Sequence, residues 1–136
     1  MKSELSKKNE YWLPKHRYYE LKHFCLQYPY WKMKCNSIDS YPRQIQHSIQ
    51  NNAQKSPTEM TAEIREQYLR DIQTVDETAY LTDAVIAPYL ILGVTENLSF
   101  DILQARYNVP CGRKTYYQLY RKFFYILSYT HRFHML

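Results

Sequence analysis

The stretch Leu98-Ser99-Phe100-Asp101-Ile102-Leu103-Gln104-Ala105-Arg106-Tyr107-Asn108-Val109-Pro110-Cys111-Gly112-Arg113-Lys114-Thr115-Tyr116-Tyr117 governs how the rest of the chain is read. Ser99 has the form of an N-cap, whose hydroxyl accepts a bond from an otherwise unpaired first-turn amide, so a short helix is expected from Phe100 to about Tyr107. Asn108 tolerates positive φ, and Val109-Pro110-Cys111-Gly112 carries the chain across a tight corner. Beyond the corner the spacing predicts a helix from Arg113 to about Ser128, with Tyr116, Tyr120, Phe123 and Leu127 on one seam. Arg113, Lys114, Gln118, Arg121, Lys122 and Tyr125 fall outside that seam. From Tyr129 to Leu136 the chain either continues the helix or frays.

A capped short helix, a left-handed residue, an apolar plug at Val109 and a second helix rich in cations describe a helix-turn-helix at about residues 98–128. In that motif the second helix enters the major groove and offers its first turns to base edges. Arg113 and Lys114 would then reach guanine or phosphate and Thr115 a thymine methyl or phosphate. Tyr117 and Gln118 complete the surface, and Arg121 and Lys122 touch the backbone.

Charge is partitioned in the same sense. Ile102 to Leu136 hold six Lys or Arg and no Asp or Glu; Met1 to Cys35 hold eight basic and three acidic residues, and Asn36 to Asp101 four and ten, within a net charge of +5. A cationic stretch on one element is the footprint of a surface that neutralises phosphates and releases their counterions. A solvated basic face, or one paired with the acidic middle of the fold, explains the same charges without a partner.

Leu98 to Leu103, Val109 to Tyr117 and Tyr120-Arg121-Lys122-Phe123-Phe124 together resemble bacteriophage proteins of the ArpU and RinA kind. The match is clearest at Ser99, Leu103, Val109, Thr115, Tyr116, Tyr120, Arg121 and Phe123, and it covers about the last forty residues. The resemblance implies a late transcriptional regulator whose C-terminal helix-turn-helix is similar to the promoter-reading region four of sigma factors. Its partners would be double-stranded DNA and host RNA polymerase or another host protein. The corner from Val109 to Lys114 is slightly longer than the standard motif, and Pro110 and Gly112 alter its geometry. Tyr11-Trp12-Leu13-Pro14-Lys15-His16-Arg17-Tyr18-Tyr19 is similar to the start of uncharacterised small phage and prophage proteins.

Working back toward the N-terminus, Ser56-Pro57-Thr58-Glu59 has the form of a capping box with Pro at the first helical position, and opens a long helix. Met60, Ile64, Tyr68, Ile72, Val75 and Ala79 form its stripe. Asp83 to Thr95 is almost wholly apolar, as a helix buried on several sides would be. Pro88 either kinks that helix or starts it, and Asn97 suits a left-handed stop. Leu13-Pro14 opens the first helix, with Tyr18, Leu21, Cys25 and Tyr28 at helical spacing. Tyr28-Pro29 ends or bends it, and a short helix anchored by Trp31 follows, to about Asn36. The expected organisation is a flexible arm (1–10), an N-terminal helical segment (11–36), a polar linker (37–55) and a helical domain (56–136).

The fold class expected is all-α, a small helical domain with a C-terminal helix-turn-helix. With 136 residues the chain is long enough to bury one core, and with two glycines a turn-rich sandwich or barrel is disfavoured. Three cysteines outside any C-x-x-C pattern point to free thiols rather than a disulfide framework or a zinc site. No apolar stretch approaches a membrane span, and the polar N-terminus lacks a signal peptide's apolar run, so the expectation is a protein of the bacterial host cytoplasm.

A phage-encoded inhibitor or adaptor that docks on a host protein, such as a CRISPR nuclease, is the competing class. Its basic ends would occupy a nucleic-acid groove, or its acidic middle would mimic DNA. An enzyme is the least favoured, with no cofactor expected. His16 with His23 and His131 with His134 lack a third ligand at a convincing spacing, and no phosphate-cradling loop or nucleophile elbow occurs. A homodimer is expected because one helix-turn-helix buries little surface, and the long helix is its candidate contact.

Overall fold

The computed structural model describes residues 9–39 and 57–135, with side chains described for 9–36 and 61–131. Among the described residues every regular element is a helix: α1 (Lys15–Leu26), α2 (Tyr28–Asp39), α3 (Pro57–Thr82), α4 (Ala87–Glu96), α5 (Phe100–Tyr107) and α6 (Arg113–Met135). Nearly all of the expected arm, the expected linker beyond Asp39 and the Ser56 cap lie outside the described residues.

The helices group into two compact units, one made of the residues up to Gln27 together with Thr74–Leu136, the other of Tyr28–Gln73. This differs from the sequence-based division at 36 and 56. The first helix is joined to the end of the chain: the Tyr18 ring lies 5.2 Å from Phe124, and its hydroxyl lies 2.9 Å from that of Tyr120. Such long-range pairing leaves no local signature in either partner.

In the first unit α1 packs against α4 and α6, and α5 packs against the same two helices. Leu21, Cys25, Leu90, Leu103, Phe123 and Leu127 are fully buried there. Each Leu or Phe so removed from water contributes about 1.5–3 kcal/mol. The C-terminal part of α3 adds Val75 and Ala79, and beside them a buried column of Thr74, Thr78 and Thr82. Those hydroxyls are tolerated because Thr78 donates to the Thr74 carbonyl and Thr82 to the Thr78 carbonyl, each at 2.7 Å.

The expected α3 stripe is therefore only half a core stripe. Ile64 is 43 % exposed, and Tyr68 and Ile72 are half-buried. The helix also runs three residues past Ala79, to Thr82, where Asp83 stops it. The Asp83 carboxylate accepts from the amides of Val85 and Ile86 at 2.9 and 3.0 Å. Pro88 then occupies the first turn of α4, where its missing N–H had no partner to lose, so it starts the helix and does not kink one. Asn97 closes α4 with φ 55° and ψ 47°.

In the second unit Tyr28, Trp31 and Cys35 are buried along α2, and Tyr30 meets Tyr68 edge to face at 6.0 Å. Pro29 explains the break before α2. It has no N–H to offer the Cys25 carbonyl, so the first helix ends, with the Gln27 amide bonding to the Phe24 carbonyl instead. Tyr28, Tyr30 and Trp31 thus serve packing.

Candidate nucleic-acid interface

The segment from Ser99 to α6 is built by local chemistry. Ser99 has extended backbone, and its hydroxyl accepts from the Ile102 amide at 3.3 Å. Asn108 ends α5 in the left-handed region, φ 55° and ψ 66°, with its amide bonded to the Gln104 carbonyl. Val109, 4 % exposed, drops into the core behind the corner. Gly112 has no positive φ and open space around it, so a side chain would be accommodated there.

α6 begins at Arg113, as the spacing predicts, and continues past Ser128 to Met135. Tyr116, Tyr120, Phe123 and Leu127 are buried, and Phe124 joins them at 1 % exposure. At 3.6 residues per turn, Lys114, Gln118 and Arg121 share the opposite face, with Thr115 and Lys122 on its rim. Lys114, Thr115 and Gln118 are exposed, and Arg121 and Lys122 are half-buried. The face is bounded toward the C-terminus by Tyr125, whose ring meets Tyr11 at a tilt at 5.6 Å and Tyr129 edge on at 5.3 Å. Among the side chains described for α6, outward-facing cations are thus concentrated between Arg113 and Lys122.

Two of the predicted site residues have structural occupations. Arg113 is ion-paired with Asp101 and lies 5.6 Å over the Phe100 ring, so it ties α6 to the first turn of α5. The sequence reading, in which Arg113 reaches guanine or phosphate, did not include this pair; both partners are largely exposed, and an exposed pair is weak. The Tyr117 hydroxyl accepts from the Phe100 amide at 3.1 Å, satisfying one of the unpaired donors that open α5. Sequence reasoning missed both ties. Asp101 in the first turn of α5, twelve residues before Arg113, was the available signal for the first.

It also missed what the N-terminal segment does to α6. Arg17 donates to the Ser128 carbonyl at 2.8 Å and pairs with Glu20. Phe24 meets His131 edge on at 4.4 Å, which makes His131 a packing residue of α6. Among the described residues no group of three or more His, Cys, Asp or Glu could hold a metal ion, and no helix is long and apolar enough to cross a membrane. Cys25, Cys35 and Cys111 form no disulfide.

Burial governs the tyrosine chemistry here. Tyr116 and Tyr120 are both held well above the ordinary tyrosine pKa by desolvation first, with Tyr117 adding to Tyr116 and Tyr18 to Tyr120. These hydroxyls remain protonated and belong to the core. No family model, curated protein or solved structure matches the chain.

Proposed function

We propose that the chain is a phage-type DNA-binding transcriptional regulator that reads double-stranded DNA through α5, the corner at Asn108 to Gly112, and the first turns of α6, as a helix-turn-helix. The observation that carries this reading is the two-sidedness of α6. Its aromatic seam is buried, while Lys114, Thr115 and Gln118 face solvent and Arg121 and Lys122 are half-open, in a stretch with six cations and no carboxylate from Ile102 onward. Lys114 and Gln118 are the base-reading candidates and Arg121 and Lys122 the phosphate contacts. Arg113 exchanges Asp101 for phosphate at small cost. A bacterial host cytoplasm is the compartment this activity requires.

Titrating the purified protein onto its own upstream region and onto an unrelated duplex, across a salt series, tests the reading. The logarithm of the association constant should fall linearly with that of salt, by about 0.9 per phosphate contacted. Arg121→Ala and Lys122→Ala should each flatten the slope by about 1. An interaction indifferent to salt refutes the reading.

A second reading, an inhibitor or adaptor acting on a host protein such as RNA polymerase or a CRISPR nuclease, is favoured by a different feature. Tyr80, Leu81 and Val85 are 52, 70 and 68 % exposed at the turn from α3 to α4, a concentration of apolar surface typical of protein contacts. Such a contact would equally serve a homodimer. Stoichiometric recovery of a host protein free of DNA from phage-bearing cells would favour this second reading.

A further inference from the structure

A pocket of about 240 Å³ opens in the first unit between α1, the α4–α5 junction and α6. Tyr18 and Lys22 line it from α1, Gly93, Asn97, Leu98 and Ser99 supply its floor at the junction, and Tyr117 and Tyr120 its α6 wall. No carboxylate is among the lining residues, and of the α6 residues expected to meet DNA Tyr117 alone is among them.

The hydrogen-bonding state of the lining groups defines what the pocket accepts. The Tyr117 oxygen already takes the Phe100 amide, and the Ser99 oxygen the Ile102 amide, so each hydroxyl retains a proton to donate. Lys22 forms no ion pair or hydrogen bond among the described residues, and brings three donors and a full charge. The Asn97 amide adds two further donors. The Tyr18 and Tyr120 hydroxyls satisfy each other at 2.9 Å on the wall. Donors therefore exceed acceptors around a single cation. The nearest acidic group in sequence on α5, Asp101, is already paired with Arg113. The opening end of α5 adds a favourable dipole for negative charge.

We propose that this pocket binds a phosphate monoester of small-metabolite size, or inorganic phosphate, with Lys22 as the counter-charge and Tyr117, Ser99 and Asn97 as donors. A phosphoryl group presents three acceptor oxygens and no donor, which is the complement of this lining. The volume lies below the roughly 300–1,000 Å³ of sites for drug-sized ligands, so a phosphate with a few attached atoms fills it. Because Ser99 caps α5 and Tyr117 closes its first turn, occupation would bear on the corner that sets α5 against α6.

The test is an amide-shift titration of the full chain at low ionic strength with inorganic phosphate, ribose 5-phosphate and, as a carboxylate control, acetate. Saturable shifts centred on Asn97 to Phe100 and Lys22, weakened about tenfold or more in Lys22→Met, are expected. Tighter binding of ribose 5-phosphate assigns a phosphorylated metabolite, and equal binding assigns inorganic phosphate. Absence of saturation, equal binding of acetate, unchanged affinity in Lys22→Met, or shifts centred on Lys114 and Arg121 overturns the proposal. Duplex binding by Lys22→Met is measured separately, so failure of the DNA reading and failure of the pocket are told apart.

Discussion

Gly93→Ala is the substitution whose outcome the packing determines most sharply. Gly93 lies inside α4, buried and without positive φ, so nothing in its backbone demands glycine. Helix propensity alone would have alanine stabilise by about 1 kcal/mol. A Cβ built there, however, overlaps the Tyr116 hydroxyl oxygen and presses Leu103 Cδ1 at 3.2 Å. Tyr116 is fully buried and flanked by Phe100 at 5.5 Å and Tyr117 at 5.1 Å, so its ring has little room to yield. Overpacking of this kind costs about 1–3 kcal/mol. The net expectation is a loss of about 1 kcal/mol, or about 4 °C in Tm. Tyr116→Phe reverses the sign. It removes an oxygen that is buried with no hydrogen-bond partner, a situation that costs about 1–3 kcal/mol, so it stabilises alone. In its background the new Cβ meets the ring carbon at 3.5 Å, an ordinary contact, only the flexible end of Leu103 has to give by a few tenths of an ångström, and alanine now stabilises. Urea and thermal unfolding of the four proteins of the cycle should give a coupling of about 2 kcal/mol. If Gly93→Ala stabilises equally in both backgrounds, the close approach of α4 to Tyr116 is wrong.

Ser99→Ala removes the acceptor of the Ile102 amide and should lower stability by about 1 kcal/mol, read by urea unfolding, with no change if the cap is idle. Tyr116 and Tyr120 are held protonated in the fold whereas unfolded tyrosine ionises near ~10, so their contribution to stability is intact below that pH and declines as pH rises above it. A Tm that is level from pH 9 to 11 (about one unit either side of that value) would contradict this. Of the three cysteines, only Cys111 should react with a thiol reagent in the native protein. It should react slowly, since burial and then Asp83 push its thiol up, while Cys25 and Cys35 should react on unfolding. Native reaction of Cys25 would place α1 elsewhere.

What could be read from the residues was the local chemistry. Ser99, Asn97 and Asn108 act through bonds and dihedrals that span four residues or fewer, and each sits where the sequence places it. The α6 seam is likewise legible because periodicity within one helix reports its own buried side. The α3 stripe shows the limit: its period continues along the helix, but burial holds only toward the C-terminal end, where threonines with internally bonded hydroxyls share the core with Val75 and Ala79. Polar residue type concealed their position. Arg113, Tyr117, Arg17 and Tyr11 were illegible for another reason. Their partners lie on different elements, and an exposed arginine bound to Asp101 has the same composition as one awaiting phosphate.

The contacts of Tyr18 with Tyr120 and Phe124, and of Arg17 with Ser128, tie the earliest helix to the latest. During synthesis α1 therefore emerges long before the surfaces that cover it, and the first unit is completed only when α6 has cleared the ribosome. Leu21 and Cys25 must wait unsheltered through translation of everything between. Nascent chains stalled before Tyr116 should consequently recruit chaperones that full-length chains escape, and a premature stop in the last helix should cost the whole unit rather than its end alone.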